Sequence, residues 1–265
     1  MLRLLPRFRP SHQRKTWQVL VQYLGCFVLV ALIGIIATTK EFKGTKPVAD
    51  FFDRKSHDWF HKTEWFPPAD VTHPVDNFLI IYIDDLSHAE LQQPYDRTWS
   101  RALHAELLEK IKAQNPKLVF YDMIFDQPSS DPEADARLAK AIEETGVVVL
   151  GASRQQYYYE DNDEPVERIF VPFPAFRKAA AAWGVVLKKH DSADNGLRRM
   201  DLAHDDDRFA PAYWQAAKVI DEESLGSEDG YKQPRWIRYV GPSPAIQGVS
   251  FSSALQGDPV DFTGR

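Results

Sequence analysis

The chain reads as an α/β fold: a single ectodomain with a mostly parallel sheet flanked by helices plus an added hairpin, preceded by one N-terminal transmembrane helix. Three observations predict it. Residues 1–16 carry five cations (Arg3, Arg7, Arg9, Arg14 and Lys15) and no acid. Residues 17–39 carry no charge. Beyond residue 76, apolar runs that end in acids alternate with amphipathic stretches over short links, the pattern of a parallel α/β sheet.

Trp17 to Ala37 supplies 21 residues, roughly 30 Å of helix, which matches a bilayer core. Trp17 and Tyr23 sit toward its N-terminal end, where interfacial aromatics are favoured, and the polar Gln18 and Gln22 lie near the same end. The span is assigned to 17–38, with 1–16 a cytoplasmic basic arm by the positive-inside rule. Everything from about residue 40 is then extracytoplasmic, placing the protein in the cell membrane. A cleaved signal peptide is the alternative. Against it, the apolar run exceeds the usual h-region, and bulky Ile35 stands where cleavage after Ala37 wants a small residue.

Residues 39–76 form a juxtamembrane helix and linker. Phe51, Phe52, Trp59 and Phe60 fall at near-helical spacing before Pro67, Pro68 and Pro74 break the pattern. The main domain is 77–265. Residues 77–84 (NFLIIYID) read as a buried parallel strand. Residues 99–114 follow as an amphipathic helix with Leu103, Leu107, Leu108 and Ile111 on one face. Residues 117–125 (KLVFYDMIF) are a second buried strand. Asp131 caps the next helix with Pro132 at its first position, Leu138 and Ile142 face inward, and Gly146 ends it. Residues 147–150 are a third strand and 157–167 a polar surface loop. Residues 182–188 and 197–203 read as a strand pair across an Asp194-Asn195-Gly196 turn, which favours a hairpin. A helix at 211–221, an acidic loop at 222–231, a strand at 236–240 and a short helix at 250–255 closed by Gly257 complete the chain.

The net charge is −6. Setting aside the five cations of the arm leaves about −11 for residues 40–265, a poor match to nucleic acid, where phosphate contacts need clustered cations. The only cysteine, Cys26, falls inside the apolar run. The ectodomain therefore has no disulfide, Cys-based metal site or Cys nucleophile. No G-x-S-x-G, Walker A or Gly-rich dinucleotide loop is present, and no cofactor is called for.

Several segments in order resemble the CHASE2 domain, an extracytoplasmic sensory module of bacterial signalling proteins: IIYIDDLSHAEL, PYDRTWSRALHAELLEKI, LVFYDMIFDQP, DARLAKAIEETGVVVLG, DNGLRRMDL, WIRYVGP and VSFSSALQGD with FTGR. The resemblance begins near residue 50 and runs to the C-terminus. Where the family often has Trp-Pro-Trp-Pro-Arg, this chain has Gln93-Pro94-Tyr95-Asp96-Arg97. The resemblance implies a membrane-presented sensor that binds a small ligand or protein partner, pairs as a homodimer and is not itself an enzyme. It also implies a further strand, membrane helices and a cytoplasmic output domain such as a cyclase or kinase beyond Arg265.

Candidate ligand-binding residues are Asp84, Asp85, Arg97, Asp122, Asp126, Arg198 and Arg199. The four acids fall at or just after predicted strand ends, the edge where open α/β sheets bind ligands. Converging carboxylates could hold a divalent ion; otherwise they cap helices and pair with Arg97 or Arg101. Arg97, with Asp122 as its expected partner, could grip an anion, and alternation lets one of Arg198 and Arg199 face a pocket. His57 and His61 have i, i+4 spacing but are read as solvated, and His104 as packing or capping on the first helix. Two alternatives remain: an extracytoplasmic metal-dependent hydrolase using the strand-end acids, and an envelope scaffold protein.

Overall fold

A computed structural model describes residues 21, 23–32, 34, 55, 77–157, 166–186, 197, 199–200, 209–225, 235–237, 246–257 and 262. The chain divides into two units, Met1–Pro67 and Pro68–Arg265. In the first, residues 21, 23–32 and 34 are helical. Tyr23 and Cys26 lie on this helix with exposed side chains, while Trp17 and Ala37 fall outside the described residues. Among the described residues no helix is long and apolar enough to cross a membrane. The juxtamembrane helix also lies outside them, save for Lys55, which is helical.

The second unit is mixed α/β, with mostly parallel strands flanked by helices. β1 (Leu79–Tyr82) leads into α1 (Asp85–Glu90), then α2 (Arg101–Lys112) and β2 (Val119–Ile124). α3 (Pro132–Thr145), β3 (Val148–Tyr157), β4 (Val166–Phe170), α4 (Pro174–Ala179) and β5 (Ala182–Val185) follow. The chain continues through β6 (Arg199–Met200), α5 (Ala212–Asp221), β7 (Arg235–Trp236), β8 (Gln247–Ser250) and α6 (Phe251–Gln256). β3 is central: β2 and β5 both run parallel to its first half, and β4 runs antiparallel to its second. β1 pairs in parallel with β8, and β6 pairs antiparallel with β7.

Local signals account for the helices. The Asp131 carboxylate accepts from the N–H groups of Glu133 and Ala134, Pro132 opens α3, and Gly146 takes the left-handed cap at φ 75°. α2 turns one apolar face into two cores. Ala105 and Leu108 pack with Tyr121, Phe125, Leu138, Ile142 and Phe176, whereas Leu107 and Ile111 pack with Trp99, Phe251, Leu255 and Phe262. Lys110 reaches across to the carbonyl of Leu255, and a two-pronged Arg137–Glu109 bond ties α3 to α2.

Four expectations are corrected. Among the described residues the hairpin of 182–188 with 197–203 is not found: β5 pairs with β3, and β6 pairs with β7. A favourable Asn-Gly turn is a local preference, and tertiary pairing overrides it. The surface loop read at 157–167 begins and ends in paired strand, Tyr157 opposite Val166. β3 runs on to Tyr157 instead of stopping at Leu150, because its polar half has β4 as partner. β1 is also not buried on both faces; Ile80 and Tyr82 are exposed while Leu79 and Ile81 pack inward.

Candidate functional site

Chain reversal after β1 places Asp84 in an extended conformation as the N-cap of α1. Its Oδ1 accepts from the Ser87 N–H at 2.9 Å, the Ser87 hydroxyl at 2.6 Å and the Ser250 hydroxyl at 2.8 Å. Ser252 Oγ lies 3.0 Å from Ser250 Oγ, and the Ser252 N–H donates to Ser87 Oγ at 3.1 Å. One assignment satisfies every hydroxyl: Ser87 and Ser250 donate to Asp84, and Ser252 donates to Ser250. The Ser87 hydroxyl, followed by its N–H, holds the Asp84 carboxyl below the usual carboxylate range. This cluster clasps the C-terminal ends of β1 and β8.

The other sequence candidates are scattered. Asp85 is exposed in the first turn of α1. Desolvation, followed by the Asp85 charge and hydrogen bond, raises the Tyr95 phenol. The Arg97 side chain is 80% exposed, and its Nε lies 4.0 Å from Asp96; the expected pairing with Asp122 is not formed among the described contacts. Asp122 sits within β2, exposed, where the register with β3 shifts. The strand does not end at Asp122, and alternation turns its side chain outward, away from the inward-facing Tyr121. Asp126 lies just past β2, where its charge acts on Arg101. Arg198, His57 and His61 lie outside the described residues, and Arg199 stands opposite Trp236 in the β6–β7 pair. Among the described residues no three or more His, Cys, Asp or Glu side chains come together in a way that could hold a metal.

The fold instead buries Arg101, four residues beyond Arg97. Its guanidinium lies 4.3 Å from the Phe125 ring centre and 5.8 Å from that of Phe176, a cation–π arrangement in a desolvated setting. Arg101 Nε is 3.8 Å from Asp135 Oδ1, with both side chains buried. Asp135 also accepts the Ser129 N–H at 2.8 Å. Burial pulls the Arg101 pKa down, and the charges of Asp135 and Asp126 oppose that shift.

One turn along α2, His104 is fully buried at the seam of the two cores. Its ring meets Tyr121 and Phe125 on one side and Trp99 and Phe251 on the other. Burial, then the Arg101 charge, lowers its pKa to about 3, so the ring is neutral at physiological pH. Burial likewise raises the Tyr121 phenol. Arg101 Nε, both His104 nitrogens, the Tyr121 hydroxyl and Asp135 Oδ1 are buried without hydrogen-bond partners in this structure. The expectation that His104 packs is met. Arg101 was legible in principle, because it precedes His104 by three residues and Leu108 by seven on the apolar face of α2.

No curated protein and no solved structure matches the chain. The CHASE2 domain family model matches residues 26–265. That span covers all the described strands, α1 through α6 and both core clusters, so the chain belongs to the CHASE2 domain family, a family of extracytoplasmic sensory domains.

Proposed function

We propose that this chain is the input half of a membrane receptor. In this reading the N-terminal helix anchors it in the cell membrane with the basic arm in the cytoplasm. The acidic α/β domain lies outside, binds a small ligand or partner, and biases membrane helices that lead to an output domain. Such signalling requires the ligand to favour one helix arrangement over another.

The observation that carries the anchoring is the surface of the N-terminal helix. Phe27, Val28, Leu29 and Val30 are consecutive, so together they span about a full turn, and all four are exposed, from 49% to 73%. A helix that is apolar all round needs a protein core or lipid about it, and these four side chains are all left exposed. The charge step on either side of it supports the same reading.

Membrane flotation tests it. The full chain should float with vesicles and resist alkaline carbonate, and a chain lacking residues 1–38 should not float. Flotation of both, or of neither, would remove the anchor from the account.

A further inference from the structure

A shallow, open cleft of about 420 Å³ lies where β5 begins. It lies at the N-terminal end of β5, whereas Asp126 follows the C-terminal end of β2, which runs in the same direction. Alanines at 180–182 and 210 form much of its wall, and their small side chains leave the space. Gly184 lets residues 210–212 lie close along β5; a Cβ there would meet Ala210 O and Ala212 Cα at 2.7 Å.

Four larger residues also line the cleft: Arg177, Trp183, Phe209 and Gln215. The Trp183 and Phe209 rings lie 5.2 Å apart between centres at an angle of 47°. Arg177 is exposed, with its guanidinium 5.8 Å from the centre of the Trp183 ring. Among the described residues no carboxylate pairs with it. A planar cation with no carboxylate partner among the described residues, set against the Trp183 ring where both line the cleft, is complementary to a carboxylate. The guanidinium fork matches both carboxylate oxygens, and the two rings offer an apolar surface to a planar body.

We propose that this cleft binds a small aromatic carboxylate, with the carboxylate on Arg177, the ring against Trp183 and Phe209, and Gln215 available to a second polar group. The assignment deepens the ligand-binding part of the proposed function, and rests on that reading for any signalling consequence.

Benzoate titrated into the full chain, followed by calorimetry and by ligand-observed saturation-transfer NMR, tests it. The expected result is saturable one-site binding, with benzamide failing to compete. Arg177→Gln should weaken benzoate by roughly tenfold or more, as loss of a charged hydrogen-bonding partner does. Because Arg177 is exposed, that variant should keep the parent melting curve, and Phe209→Leu supplies an independent loss of ring contact. Absent or non-saturable binding, equal binding by benzamide, or benzoate affinity unchanged in Arg177→Gln would each overturn the proposal. Those failures would leave flotation of the full chain unchanged, whereas failure of the anchor shows in flotation and not in benzoate binding.

Discussion

Arg101 and Asp135 carry opposite charges out of water, and their separation of 3.8 Å at Nε is longer than a hydrogen bond. Removing one partner strands the other charge. Arg101→Ala should therefore destabilise the domain by about 3–5 kcal/mol, read from urea unfolding. Arg101→Met with Asp135→Leu should recover most of that loss, short of about 1 kcal/mol for the Ser129 bond that Asp135 also makes. Equal destabilisation by the single and double variants would show that the pair is not the cause. The fork between Arg137 and Glu109 is half exposed, and a surface pair of that kind contributes only about 0–1 kcal/mol.

His104 makes a separate prediction. Its folded pKa of about 3 lies below the value near 6.5 of an exposed histidine. Between these limits the unfolded chain binds the proton and the folded chain does not, so stability falls as pH drops through that window. The slope at its steepest is about 1.4 kcal/mol per pH unit. His104→Leu removes this proton uptake. The stability difference between parent and variant should therefore move in favour of the variant as pH falls from 6 to 4, and a difference independent of pH would contradict the buried neutral ring.

Among the elements, those with their own end signals were legible in the sequence. α3 has Asp131, Pro132 and Gly146 at its boundaries, and α2 has Leu107, Leu108 and Ile111 at helical spacing on its buried face. Pairing was less legible, because it depends on partners far along the chain. β3 continues into a polar stretch that only β4 explains, and the partner of β1 arrives 168 residues later in register, Leu79 opposite Gln247. The candidate site divides in the same way. Asp84 was found because an acid after a strand marks an edge, and its partner Ser87 lies within cap spacing, but its other partner, Ser250 at the end of β8, is too distant for sequence spacing to reveal. The clasp can be tested at element scale. Asp84→Ala should cost about 0.5–2 kcal/mol in thermal or urea unfolding, and Asp84→Asn, which keeps an acceptor, should cost less. Equal cost would mean that charge and not capping holds α1. Gly184→Ala should also destabilise, by about 1–3 kcal/mol, since its methyl would meet backbone at 2.7 Å.

At the scale of the Pro68–Arg265 unit, two small cores share α2, and His104 touches both. A rearrangement that moves α2 must therefore repack Phe125 and Phe251 together. That is a physical basis for coupling one side of the domain to the other, which a sensory domain needs. The family follows from the match over residues 26–265, and the central claim is that this acidic domain faces away from the cytoplasm. The direct measurement is site-specific labelling in bacterial cells with a permeabilised outer membrane. The protein would carry Cys26→Ser and a single new thiol at the exposed α3 position, Ala136→Cys. A membrane-impermeant maleimide should label that thiol before the inner membrane is broken. Labelling only after lysis would place the domain in the cytoplasm and contradict the account.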